Sequence, residues 1–253
     1  MTRVSGLPSF RKRIKRSSKL KNSRIILSLD LPPMPELKKF ALISISRLQQ
    51  HICAVKLNFH LILPFSKSDL TEFNFLAHSY GLESIADIKL NDIASTNQIA
   101  IQHLLEMGFD SVIVNPFMGK DSLKSAVVQT HEKNCGVIAL VYMSHPGARE
   151  CYGADIIYRK KNRIISMYKL FHNMAIDAGV DGIVVGATHI DVMKDISKVK
   201  RIPIYSPGVG AQGGNIGLTK KHGTDFFIVG RSILSSGNPL NAVRKYQRLT
   251  SSL

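Results

Sequence analysis

A (β/α)8 TIM barrel is the fold class this sequence predicts, and three observations predict it. Eight short runs are apolar on consecutive residues, as strands covered on both faces must be. Longer amphipathic spans separate them, the pattern of a parallel sheet built from βα units. The length, 253 residues, is that of one such barrel. An open doubly wound sheet is the competing architecture.

Taken in order, strands are expected at "RIILSLD" (24–30), "ICAVKLN" (52–58), "ESIADIKL" (83–90), "DSVIVNP" (110–116), "GVIALVYM" (136–143), "DGIVVG" (181–186), "IPIYSPG" (202–208) and "DFFIVGR" (225–231). Helices are expected over 35–50, 69–80, 93–107, 120–133, 160–178, 189–198 and near 238–250. The span 214–222 is Gly-rich, so its helix is short. Asp30, Lys56, Lys89, Asn115, Ser144, Pro207 and Arg231 fall at or just past strand C-termini. In a barrel those ends converge on the face that carries the active site, which favours the closed architecture.

The formal charge of +16 is unevenly spread. Residues 1–24 hold nine Lys/Arg and no acid, including the run "RKRIKR" at 11–16. The domain reading is therefore a basic extension over 1–23, helical or partly disordered, before a single barrel over 24–253. Such a run suits nucleic acid or another anionic surface, or forms a solvated one-sided helix packed on the body. No apolar run reaches the ~20 residues of a membrane span, and no secretory h-region is legible. Cys53, Cys135 and Cys151 are odd in number and widely spaced, pointing to reduced thiols in the cytoplasm. The nine histidines show no metal-ligand spacing, so no metal is expected.

The stretch "IADIKLNDIAST" (85–96) carries the chemistry. Asp87 and Lys89, two apart on a strand, point the same way, toward the barrel mouth. Asp92 follows on the loop or first helical turn, where it could equally cap a helix. With Asp30 and Lys56 at the two preceding strand ends, an alternating Lys–Asp array forms whose desolvation is too costly for stability alone. In "SPGVGAQGGN" (206–215), Gly208, Gly210 and Gly213 satisfy GxGxxG. The motif follows the seventh strand rather than the first, and no acid lies 20 residues on, which excludes a dinucleotide fingerprint. It leaves an anion-holding loop with Gln212 as a donor. "IVGRS" (228–232) offers Gly230 and Arg231 as a phosphate clamp after the last strand. In "YMSHPGA" (142–148), Ser144 can meet a polar ring edge, while His145 has no partners of a nucleophilic triad and reads as structural.

These blocks resemble the orotidine 5′-phosphate decarboxylase family. "DIKLNDIAST" is similar to its DxKxxDI-x-x-T motif, and "LSLDL", "VKLNF", "MSHPGA", "SPGVGAQGG" and "IVGRSI" match its other blocks in order, over about 24–245. The closest likeness is to archaeal-type enzymes with a compact barrel. The resemblance implies a cofactor-free homodimer that converts orotidine 5′-monophosphate to uridine 5′-monophosphate. It implies Lys56, Asp87, Lys89 and Asp92 as the charged array, with Lys89 protonating C6 and Asp87 against the departing carboxylate. Asp30 and Lys56 would hold ribose hydroxyls, helped by Asp92 and Thr96 of the partner, whose Ile93 would line the pocket. Ser144 and Pro207 would meet the pyrimidine, and Gln212, Gly230 and Arg231 the 5′-phosphate. Asn58 stands where many relatives have Gly, and Ala94 where Pro is usual. Two related activities, 3-keto-gulonate-phosphate decarboxylase and hexulose-phosphate synthase, share the DxKxxD block but are metal-assisted and lack the Gln-bearing loop. A nucleic-acid role for residues 3–24 could coexist with catalysis, although aromatic-rich RNA-binding blocks are absent.

Overall fold

The structure is a computed structural model and describes residues 8–158, 162–199, 202–210 and 212–251. The consecutive apolar runs form β1 (Ile25–Leu29), β2 (Ala54–Asn58), β3 (Glu83–Leu90), β4 (Ser111–Val114) and β5 (Gly136–Tyr142). After an excursion they continue as β8 (Gly182–Val185), β9 (Ile204–Pro207) and β10 (Phe226–Val229). All eight pair in parallel in the closed order β1-β10-β9-β8-β5-β4-β3-β2. Closure rests on β1 against β10, with Ile25 opposite Phe227 and Leu27 opposite Val229. An open doubly wound sheet would leave those two strands as edges, so that alternative is excluded.

The outer ring follows the amphipathic spans: α2 (Leu37–Leu48), α4 (Lys67–Ser79), α5 (Ala94–Glu106), α6 (Lys120–His131), α8 (Met167–Ala178), α9 (Ile190–Ser197), α10 (Ile216–Lys221) and α12 (Pro239–Ser251). Three single turns, α3 (Phe59–Ile62), α7 (Ala148–Cys151) and α11 (Arg231–Leu234), follow β2, β5 and β10. The capping chemistry is local where it can be. Ser66 and Asp69 form a capping box at the start of α4, and the Asn215 side chain accepts from Leu218 N–H at the start of α10.

One expectation fails. The helix expected over 160–178 begins only at Met167, and what precedes it is an antiparallel hairpin, β6 (Asp155–Tyr158) with β7 (Arg163–Ser166). "DIIY" and "RIIS" each place β-branched residues on both faces of a short strand, and the pairing Ile157 with Ile164 aligns them across it. β-Branched pairs on either side of the polar residues 159–162 favour two strands over one helix. Residues 160 and 161 of that expected helix lie outside the described residues.

The N-terminal ends of the strands are covered by α1 (Phe10–Leu20), drawn from the basic extension, of which residues 1–7 lie outside the described residues. Its inner face buries Phe10, Arg13, Ile14 and Ser17. Phe10 lies so close to β5 that a Cβ on Gly136 would come within 2.5 Å of its ring, so the strand needs glycine there. Arg13 is the polar centre of this contact. Its Nε donates to both carboxylate oxygens of Glu83 at 3.1 and 3.0 Å, and Nη2 donates to Asp110 Oδ1 at 3.0 Å. Nη1 donates to the carbonyls of Pro8 and Asn134 at 2.8 and 2.7 Å. Asp110 is completed by Ser84 N–H at 2.7 Å and by the His78 ring at 2.9 Å. Such complete pairing is what makes a buried ionic cluster tolerable.

Candidate active site

The opposite end of the barrel is open. A cavity of about 260 Å³ lies there, lined by side chains from the C-terminal ends of the strands and the loops beyond them. Ile113, Leu140, Val184 and Ile228 make its apolar floor. Around them stand Asp30 after β1, Lys56 in β2, Asp87 and Lys89 in β3, Ser144 after β5, Pro207 at the end of β9, Gln212 beyond it, and Gly230 and Arg231 after β10. Nine of the twelve residues singled out from the sequence thus meet in one cavity.

The charges are interlocked. Asp87, buried, accepts from Lys56 Nζ at 2.6 Å through one oxygen and from Lys89 Nζ at 2.8 Å through the other. Burial alone would raise the Asp87 carboxyl, but the two flanking ammonium groups outweigh it and hold the group below its usual range. Lys56 is 3% exposed, and burial pulls its ammonium below the ordinary lysine value despite the carboxylate beside it. Lys89 is different, with 41% of its side chain exposed at the mouth of the cavity.

Backbone geometry aims Lys89. The register of β3 against β4 shifts between Ala86 and Leu90, and Lys89 sits at φ +47°, a left-handed conformation that lysine rarely adopts. An ideal strand would set Asp87 and Lys89 side by side. The bulge instead swings Lys89 out while its amine still returns to Asp87. Non-Gly residues in this conformation cost energy that the surroundings must offset, and they concentrate at functional sites.

Asp92, Ile93 and Thr96 do not line the cavity of this chain. All three are exposed, Ile93 by 67%. The side chain of Asn97, buried in α5, accepts from Asp92 N–H at 3.1 Å and donates to the Asp92 carbonyl at 2.6 Å. Among the described residues Asp92 Oδ1 accepts only from the adjacent Ile93 N–H, and the N-cap of α5 is Ile93. The backbone is thus held firmly while the carboxylate and the isoleucine are displayed outward.

The loop after β9 carries three left-handed glycines, Gly208, Gly210 and Gly213. Gly213 N–H donates to the Gly210 carbonyl at 2.8 Å and Gly214 N–H to that of Gly208 at 3.0 Å, closing a tight turn. Gln212 folds back over Gly208, where a Cβ would lie 2.6 Å from its Oε1. Across the mouth, Arg231 is 56% exposed with its Nε 3.6 Å from Asp30. Gly230 is required by close approach, since a Cβ would meet the Ser28 carbonyl at 2.8 Å. Gln212 and Arg231 therefore offer amide and guanidinium donors at the mouth of the cavity.

Asn58 has a larger place than its sequence context suggests. Its Oδ1 accepts from Lys56 Nζ and, at 3.1 Å, from Ser28, while its Nδ2 donates to Asp30 at 2.8 Å. It is the bridge between the two halves of the charged array. The available signal was its position two residues past Lys56 on the same strand face. His145 also lines the cavity, which its reading as structural did not anticipate. Among the described residues no group of three or more His, Cys, Asp and Glu is arranged to hold a metal ion, and no helix is long and apolar enough to cross a membrane.

Comparison with known proteins gives this arrangement a family. Residues 23–246 match the "Orotidine 5'-phosphate decarboxylase / HUMPS family". The orotidine 5'-phosphate decarboxylase of Methanococcoides burtonii is 33% identical over 227 residues, covering 89% of this chain and 96% of the relative. That of Thermococcus kodakarensis is 35% identical over 228 residues, covering 89% and 96%. Among solved structures, the Methanocaldococcus jannaschii decarboxylase complexed with the inhibitor BMP superposes with a TM-score of 0.77 at 29% identity, covering 91% of this chain and 99% of that one. The Pyrococcus horikoshii enzyme gives 0.70 at 30% identity, covering 90% and 100%. A closed parallel barrel, a buried carboxylate between two lysines and a match through nearly all of the chain lead to one conclusion: this protein belongs to the orotidine 5′-phosphate decarboxylase / HUMPS family.

Proposed function

We propose that this chain decarboxylates orotidine 5′-monophosphate to uridine 5′-monophosphate in pyrimidine biosynthesis, without metal or cofactor. The observation that carries the reading is Asp87 clamped between Lys56 and Lys89 in a cavity that Gln212 and Arg231 also line. Losing carbon dioxide from C6 leaves a carbanion with little resonance relief. A site for that step needs a fixed electrostatic field and a proton donor at the carbon. Asp87, kept ionised by its neighbours, would stand against the substrate carboxylate. Lys89, the more exposed ammonium, would stabilise the carbanion and deliver its proton to C6.

The remaining roles are those the family resemblance implies, and the meeting of these residues in one cavity supports them. Asp30 and Lys56 would hold the ribose hydroxyls, Ser144 and Pro207 the pyrimidine, and Gln212, Gly230 and Arg231 the 5′-phosphate. Binding energy from the phosphate end could then close the glycine loop and be used at the reacting carbon. The outward display of Asp92, Ile93 and Thr96 supports a homodimer in which a second copy's three residues complete each cavity. The loop 206–215, with Gln212, favours this substrate over the sugar phosphates of the metal-assisted relatives. A cytoplasmic location goes with this reading, supported by the three free cysteines.

The test is the loss of ultraviolet absorbance of orotidine 5′-monophosphate with purified protein in EDTA. Turnover is expected. No turnover there, but activity on a hexulose or keto-gulonate phosphate with magnesium, would move the chain to the metal-assisted branch. A second measurement concerns Asn58. Asn58→Gly removes the bridge between Asp30 and Lys56, and a fall of roughly tenfold in kcat/KM is expected, mostly as a rise in KM. Unchanged constants would mean that Asn58 does not position the array.

A further inference from the structure

The basic helix α1 is not used by the proposed reaction, since it lies at the other end of the barrel. Its inner face is committed to packing, and its outer face presents Lys12, Lys15, Arg16 and Lys19, all exposed. That spacing, i, i+3, i+4 and i+7, sets four cations along one stripe about 10 Å long. Among the described residues none of the four has an ion pair or a side-chain hydrogen bond. The stripe continues sideways. Lys21 donates to Gln49 at 3.0 Å, and Gln247 of α12 donates to the Lys21 carbonyl at 2.8 Å while contacting His51 at 2.8 Å. These bonds dock the ends of α1, α2 and α12 side by side, which adds Arg47, Arg244, Lys245 and Arg248. No Asp or Glu stands in any of the three helices. Glu83 and Asp110, which meet α1 at its inner face, are buried beneath it and paired with Arg13.

We propose that this face binds the phosphate backbone of a nucleic-acid duplex, independently of sequence. Duplex carries about one charge per 1.7 Å of axis, so a 10 Å stripe spans several phosphates and can neutralise about four of them. A membrane surface fits less well. α2 and α12 expose Phe40, Ile43 and Leu249, but in α1, which carries the cation stripe, Phe10 and Ile14 are fully buried against the barrel and Leu20 alone is exposed, so that helix has no apolar face to insert. Single strands fit less well too, because α1 puts no exposed aromatic ring beside its four cations for bases to stack on, and the exposed ring of the neighbouring helices, Phe40, stands near the far end of α2.

Fluorescence anisotropy with a labelled duplex of about 20 base pairs, as RNA and as DNA, tests this between roughly 50 and 200 mM salt. The wild-type protein is expected to bind with a log–log salt slope of about −3 to −4. The variant Lys12→Ala/Lys15→Ala/Arg16→Ala/Lys19→Ala should bind at least ~10-fold more weakly at low salt, with a slope nearer zero. Its thermal midpoint and its decarboxylation of orotidine 5′-monophosphate should match the wild type, because the four side chains touch neither the core nor the cavity. No duplex binding at the lowest salt, equal binding by the variant, or binding to phosphatidylserine vesicles but to neither duplex would each overturn the proposal.

Discussion

Lys89→Ala is expected to lower kcat for orotidine 5′-monophosphate by roughly 10³–10⁴-fold, the loss of a positioned proton donor. The argument is geometric. Lys89 is the more exposed of the two cations on Asp87, and it stands on a left-handed bulge that aims its amine at the open cavity. Folding should survive, because the side chain is 41% exposed. Lys89→Gly makes the separation cleaner: glycine accepts φ +47° without strain, so that variant should be equally inactive and at least as stable. A Lys89 variant that keeps more than a tenth of the wild-type kcat would refute the assignment. The same variant tests the dimer. In a mixture with Asp92→Ala, a shared site would regain about a quarter of wild-type activity, since half the dimers would hold one intact site. Absence of any recovery after subunit exchange would place Asp92 outside the site.

Arg13→Ala is expected to cost about 3–5 kcal/mol of folding stability, the magnitude for stripping one partner from a buried ionic cluster. The guanidinium satisfies Glu83, Asp110 and two backbone carbonyls at once, and it is 9% exposed. Without it, two carboxylates would face each other beneath α1, with the His78 ring and the Ser84 N–H and hydroxyl beside Asp110 but no guanidinium between them. Arg13→Lys should recover little, because an ammonium cannot reproduce the fork that meets Glu83 and Asp110 together. Urea unfolding reads the effect directly, and a loss below about 1 kcal/mol would mean that the cluster does not anchor the helix. Residual activity per folded molecule should be unchanged, since the cavity is at the opposite end of the barrel.

Much of the site was legible because a parallel barrel converts a local feature into a global one. Each barrel strand is a consecutive apolar run, the candidate residues stand at the ends of such runs or on the loops beyond them, and closure brings all those ends together. Asp30, Lys56, Asp87, Lys89, Ser144, Pro207, Gln212, Gly230 and Arg231 could therefore be gathered into one place before any coordinate was known. Asn58 was visible only as a departure from a family pattern, because its significance lies in simultaneous bonds to Ser28, Lys56 and Asp30 on two strands. The second strand of the hairpin, Arg163–Ser166, falls inside the helix expected over 160–178 because four residues leave too short a period to distinguish a strand from the start of a helix.

By itself the sequence determined the alternation of strand and helix, the glycine turns and the order in which charged residues reach the barrel rim, since these depend on neighbours along the chain. The tertiary structure alone decided three things. It paired β1 with β10, it turned Lys89 outward through the bulge opposite β4, and it buried one face of the basic extension under the strands around Arg13. The reason is the same in each case. These outcomes depend on which distant groups meet in a medium of low dielectric, where an unpaired carboxylate or an open strand edge is costly, and that cost is not written in any local pattern.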